Sequence, residues 1–200
     1  KPKLYGISGS RALRSIWAIE EMGIDYEHVS VNYMEESKNP DFLAVNPNGR
    51  IPALVDGDLT VFESMAINMY LAKTYGGDLY PDNAADEALT WQWTIWGISE
   101  IEPLQMQLVM QKLFTPEDKR NDRLIASAEK QLERPLAVLN NALEGRDYLL
   151  GEHFSVADIN LSGVILLLSR VEFDYSAHTN VKRWADTCHA RPALARAKAL

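Results

Sequence analysis

The sequence predicts an α/β domain followed by an all-helical domain, and three observations carry that prediction. Over residues 1–76, short apolar runs of strand composition alternate with helical apolar spacing in the order β-α-β-α-β-β-α. From Gly76 to Asn83 neither period is present, which marks a linker. Beyond it the apolar residues recur at helical spacing to the end of the chain.

Residues 4–7 read as a short buried strand, and Ser8-Gly9-Ser10 as the turn after it. Ala12, Leu13, Ile16, Trp17 and Ile19 give helical spacing, and Gly23 stands where glycine ends a helix. Residues 26–32 are rich in strand formers and supply the second strand. Asn39-Pro40-Asp41 starts a short helical turn through Phe42 and Leu43. Asn46-Pro47-Asn48-Gly49 is loop chemistry, a fixed φ followed by residues that tolerate left-handed backbone. Ile51-Pro52 opens the next strand, where an X-Pro bond is a candidate cis peptide. Ala53-Leu54-Val55 and Leu59-Thr60-Val61-Phe62 are separated by Asp56-Gly57-Asp58, a hairpin signal. Glu63-Ser64 then leads into a helix with Ala66, Ile67, Tyr70 and Leu71 on its apolar side. A helix joining two strands makes them parallel, and the hairpin adds an antiparallel edge. That is a thioredoxin-like domain over 1–76, with a linker over 77–85.

The second domain covers 86–200. Residues 86–111 form one helical stretch carrying Leu89, Trp93, Trp96 and Met106, with Pro103 expected to kink it. Thr115-Pro116-Glu117-Asp118 reads as the next helix start, running toward Leu143 with a bend at Pro135 and a stop at Gly145. Ser155-Val156-Ala157-Asp158 has the spacing of a capping box, with Phe154 placed to staple onto Ile159. It precedes the most apolar helix, 159–168, and its role is structural. Residues 180–189 and 192–199 form shorter closing helices.

The formal charge of −8 argues against a nucleic-acid partner, because phosphate binding needs a basic surface. One cysteine, Cys188, excludes an internal disulfide framework and a CxxC redox pair, and favours a reducing compartment. His28, His153, His178 and His189 include no helix-spaced pair, so no metal site is expected. The longest apolar run is too short to span a bilayer, and Lys1-Pro2-Lys3 opens no signal-peptide pattern.

The informative corner is Glu63-Ser64. Free N–H groups at a helix start attract a carboxylate, and an adjacent glutamate attracts an ammonium. The α-amino acid end of a small peptide has that charge pattern.

The ordered set of Lys3-Leu4-Tyr5-Gly6, Ser8-Gly9-Ser10, Ile51-Pro52-Ala53-Leu54, hairpin and Glu63-Ser64 resembles the glutathione-binding half of the cytosolic glutathione transferases. The resemblance is clearest over residues 3–76 and closest to the serine-dependent phi-like, theta-like or bacterial members. It implies glutathione as co-substrate, no metal, a cytoplasmic homodimer, and transfer of the glutathione thiolate to an electrophilic small molecule. A free thiol titrates at roughly 8.5, so catalysis needs a group that favours the anion. Ser10 is the expected donor to sulfur, with Ser8 and Tyr5 as competitors and an N-cap as its other reading. Tyr5 is expected in the core. Arg11 and Arg14 either add positive potential or lie on a solvated helix face.

By the same resemblance, the Ile51 backbone pairs with the cysteinyl part beside Pro52. Glu63 and Ser64 hold the γ-glutamyl end, and Lys38 and Arg50 the glycyl carboxylate. Ser37 and Met65 depart from the family pattern, where a histidine and an arginine are common. The aromatics and methionines Trp91, Trp93, Trp96, Met106, Met110 and Phe114 are expected mainly in the core, some lining a cavity for the second substrate. Glutathione-dependent reduction of hydroperoxides and a non-catalytic carrier or scaffold remain as alternatives.

Overall fold

The computed structural model describes residues 1–200, which divide into two compact units. The first comprises 1–82 together with 190–200, and the second comprises 83–189. The expectation placed 190–200 with the helical half; the structure folds this segment into the first unit instead.

The first unit contains β1 (Lys3–Tyr5), α1 (Ala12–Met22), β2 (Glu27–Val29), α2 (Pro40–Val45), β3 (Ala53–Asp56), β4 (Leu59–Phe62), α3 (Ser64–Tyr75) and α9 (Pro192–Lys198). The four strands form one sheet in the order β2-β1-β3-β4. β1 pairs parallel with β2, and antiparallel pairs join β1 to β3 and β3 to β4. The expectations for the first two strands ran long. β1 stops at Tyr5 because Gly6 turns the chain at φ 144, and β2 keeps only the three residues that face β1.

α1 is buried on most of its surface because α3 and α9 both pack on it. Arg191 grips Glu21 with two bonds of 2.7 and 2.9 Å, and the Trp17 indole donates to the same carboxylate. Arg196 pairs with Glu20 at 2.9 Å and also reaches the Glu20 carbonyl. No helical pattern in the C-terminal sequence announces that docking, since the partner is nearly the whole chain away. On the far side of the sheet, Val31, Phe42 and Ala53 form a small core with Tyr5, Val29, Val45 and Ile51 packed against it.

The second unit contains α4 (Ala84–Trp96), α5 (Glu102–Val109), α6 (Asp122–Ala142), α7 (Val156–Arg170) and α8 (Thr179–His189). The disturbance expected at Pro103 is a π-helical turn over Gly97–Ile101, with proline seated in the first turn of α5. A proline ring clashes with the carbonyl four residues back, and the wider turn accommodates it. A second π turn, Met110–Phe114, ends this stretch. The start expected at Thr115-Pro116 yields only a 3₁₀ turn over Glu117–Lys119; α6 begins at Asp122, where Asn121 accepts from the Leu124 N–H at 3.1 Å.

α7 is the buried centre of this unit, packed by α4, α5 and α8. Its capping box is formed: Ser155 accepts from a first-turn N–H while Asp158 bonds back to the Ser155 N–H at 3.0 Å. Asp158 does more than the box requires. It also accepts from the Leu149 N–H at 3.0 Å and the Trp184 indole at 2.8 Å, tying the preceding loop and α8 to the helix start. Burial pushes its carboxyl above the usual range, against these hydrogen bonds, which favour the anion. No helix of the chain is long and apolar enough to cross a membrane.

Candidate functional site

Three backbone features of the first unit bring the sequence-selected residues together. The first is the β1–α1 junction. Ser10 is half-buried, accepts from the Ala12 N–H at 3.0 Å and donates to the Ile7 carbonyl at 2.8 Å. The N-cap of α1 is Arg11, so Ser10 stands one residue before the cap position, and its bond to the Ala12 N–H is compatible with the donor reading. The helix N–H holds the oxygen in place, and the hydroxyl hydrogen is free to swing from one acceptor to another. Ser8 lies half-buried in the preceding turn. Tyr5 packs its ring against Phe42 at 5.9 Å, as core. Arg11 is exposed, but Arg14 is buried, which departs from the solvated face expected for it.

The second feature is the loop before β3. Ile51-Pro52 is cis, with Pro52 buried and Ile51 half-buried. Gly6 lets this loop approach the junction: a Cβ there would meet the Ala12 Cβ at 2.4 Å and the Ile51 Cβ at 3.5 Å. Asn46, nearly fully buried, shapes the loop from inside. Its amide donates to the Arg50 carbonyl at 2.6 Å and its oxygen accepts from the Asn48 N–H at 3.1 Å. Lys38 donates to the Gly49 carbonyl, so its ammonium clamps this same loop. Arg50 is exposed beside it. Ser37 is buried with its hydroxyl on the Tyr33 carbonyl at 2.9 Å, a structural role.

The third feature is the entry to α3. Glu63 adopts φ 73 and ψ 117, a strained conformation for a residue with a side chain. That geometry leaves the Glu63 side chain exposed and sets Ser64 as the first residue of α3. Ser64 is nearly buried, and its carbonyl accepts from the Ser15 hydroxyl at 3.3 Å. Met65, where the family pattern has arginine, is buried in the core. Gly6, Asn46 and Ser15 were not singled out from sequence. An Asn four residues before the Arg50 carbonyl it serves was the one available signal.

The aromatic and methionine residues of the second unit divide. Trp93 is buried and meets Trp96 edge-on at 5.2 Å. Trp91, Met110 and Phe114 are exposed at 42%, 49% and 65%, so core packing, expected for most of this set, does not hold for them.

Comparison with known proteins decides the family. The model described as "Glutathione S-transferase, N-terminal domain" matches residues 1–73, and "Glutathione S-transferase, C-terminal domain" matches residues 101–192. The chain is a member of the glutathione S-transferase family. It is similar to glutathione S-transferase 3 of Zea mays, at 36% identity over 96% of this chain and 90% of the relative. Glutathione S-transferase D6 of Drosophila melanogaster is 31% identical over 90% of this chain and 84% of its own. Among solved structures, the theta class glutathione S-transferase of Xanthomonas axonopodis pv. citri, with glutathione bound, superposes with a TM-score of 0.89. It is 31% identical and covers 100% of this chain and 97% of its own. In this transferase, a four-stranded thioredoxin-like sheet precedes the helical unit, as the sequence predicts.

Proposed function

We propose that this glutathione transferase uses Ser10 to favour the thiolate of bound glutathione, which then attacks an electrophilic small molecule. The observation that carries the assignment is the placement of the Ser10 hydroxyl, bonded to the Ala12 N–H at the start of α1. A sulfur anion there receives the hydroxyl hydrogen now donated to the Ile7 carbonyl, and the α1 dipole adds to the effect. The serine stays unmodified: the sulfur–electrophile bond forms as the leaving group departs with its electron pair.

The tripeptide is anchored along the same unit. The Ile51 backbone beside cis-Pro52 pairs with the cysteinyl residue, as an added strand does. Glu63 takes the γ-glutamyl ammonium and Ser64 its carboxylate at the α3 start. Arg50 and Lys38 neutralise the glycyl carboxylate, with Lys38 also fixing the loop through Gly49.

We further assign a homodimer. Trp91, Ile95 and Ile98 recur at helical spacing on one exposed face, at 42%, 59% and 39% exposure, and Leu59 and Phe62 are exposed on the edge strand β4. Such apolar faces suit a second copy. A reducing, cytoplasmic setting accords with the single buried cysteine.

Retention on immobilised glutathione, followed by a screen of electrophiles and organic hydroperoxides, tests the function. Turnover of an electrophile is the expected result. Binding without turnover of any substrate points to a carrier, and no binding overturns the glutathione reading. Light scattering at micromolar concentration tests the dimer.

A further inference from the structure

Buried hydroxyls on helices usually bond back to the carbonyl four residues earlier, which satisfies them within their own helix. Thr90 does so onto Asp86 at 2.8 Å, and Ser162 onto Asp158. Ser15 behaves differently. It is fully buried in α1, yet its hydroxyl crosses to another helix and donates to the Ser64 carbonyl at 3.3 Å. The α3 ladder uses one lone pair of that carbonyl, and Ser15 takes the second. A reciprocal contact lies one turn further along: Asn68 of α3, also fully buried, donates to the Arg14 carbonyl of α1 at 3.3 Å. Each helix thus sends a side chain to the other's backbone, between the junction that carries Ser10 and the corner made by Glu63 and Ser64.

We propose that Ser15 is a positioning residue for recognition of the γ-glutamyl end: its hydroxyl fixes the Ser64 end of α3 against α1. The inference rests on the reading of glutathione as co-substrate. Three observations support it. The acceptor belongs to the residue that opens α3, so a shift there moves the N–H groups aimed at the ligand carboxylate. The preceding residue, Glu63, is strained at φ 73 and needs its neighbours held to keep that conformation. Finally, alanine is the better helix former and fills a buried helix position without a polar group, so packing alone does not call for a serine here. At 3.3 Å the bond is long for a hydroxyl donor.

The test compares wild type with Ser15→Ala on two thiols, glutathione and cysteinylglycine, which lacks the γ-glutamyl residue. One lost hydrogen bond corresponds to about 3- to 10-fold in affinity. The expected result is a rise of about that size in KM for glutathione, with kcat and the pKa of the bound thiol unchanged. The kcat/KM for cysteinylglycine should stay at the wild-type value. Ser15→Cys, a weaker donor of similar size, should fall between wild type and Ser15→Ala. Equal losses with both thiols would mean a general disturbance of the fold and overturn the proposal, as would an unaltered KM for glutathione. A wild type that does not distinguish the two thiols would instead defeat the glutathione reading on which the proposal stands.

Discussion

Replacing Asp158 by alanine removes the acceptor of four buried donors: the Leu149 and Ser155 N–H groups, the Ser155 hydroxyl and the Trp184 indole. The hydroxyl can turn to another acceptor; the other donors cannot. Each buried donor left without a partner costs about 1–3 kcal/mol, so the gross loss is about 3–9 kcal/mol. Removing a buried carboxylate returns part of this, because its desolvation was itself unfavourable. The net destabilisation should be about 3–5 kcal/mol, a large share of a typical domain's stability. Asp158→Asn keeps one acceptor oxygen but points an amide at the Ser155 N–H, and should cost about 1–3 kcal/mol. Urea unfolding followed by tryptophan fluorescence measures both, and amide exchange at Leu149 and Ser155 localises the effect. If alanine costs less than about 1 kcal/mol, or no more than asparagine, the shared-acceptor account is wrong.

Ser10→Ala should lower kcat by on the order of 10²-fold and raise the thiol pKa of bound glutathione, with little change in affinity; ultraviolet titration of the thiolate and steady-state kinetics check both. Glu63→Gly should relieve the backbone at φ 73 and raise stability by about 1 kcal/mol while weakening glutathione binding, so melting and retention move in opposite directions. Glu172, at φ 53 just past the end of α7, should accept glycine with about 1 kcal/mol of added stability and unchanged kinetics. The pH dependence of Asp158 has a defined sign. Burial holds its carboxyl above the ordinary range, so the native state keeps the proton to higher pH than the unfolded chain. The stability advantage of wild type over Asp158→Asn should therefore shrink as pH rises from the ordinary carboxylate value of about 4 through the raised one; a gap that widens over that interval refutes the assignment.

What was legible in the sequence was local. The cis position at Ile51-Pro52, the hairpin turn, the Ser155 box and the entry at Glu63-Ser64 are each signalled within four residues, because turn and cap chemistry acts over that distance. The partners that complete the site are not local. Asn46 gave itself away as a loop residue, but not as the buried group that holds the Arg50 carbonyl. Ser15 reads as an ordinary helix residue until α3 is beside it. Arg14 sits on what looks like a polar helix face, and its burial becomes visible only in the folded unit. The π turn at Gly97–Ile101 likewise needs the helix on both sides of Pro103 before its cause is visible.

Glu63 and Glu172 share one backbone cost and differ in why it is tolerated. Both hold positive φ with a side chain that glycine would spare. Glu172 occupies the position after a helix end where a left-handed residue closes the last carbonyls. The Phe173 N–H reaches the Leu168 carbonyl at 3.1 Å and the Glu172 N–H reaches Ser169 at 3.3 Å. Those bonds involve only main chain, so any residue that reaches the conformation serves, and the glutamate there has no structural duty. Glu63 instead leads into a helix, where no closing motif calls for positive φ. Its conformation is held by the Ile67 N–H on its carbonyl at 2.9 Å and by the Ser15 bond on the next residue. What the strain achieves is an acid exposed at a helix start whose N–H groups attract the opposite charge. A conformation that costs stability, stabilises no contact of its own side chain and presents that pair of charges is what the γ-glutamyl anchor proposed above requires. The stability that Glu63→Gly recovers is the measure of what the fold gives up for it.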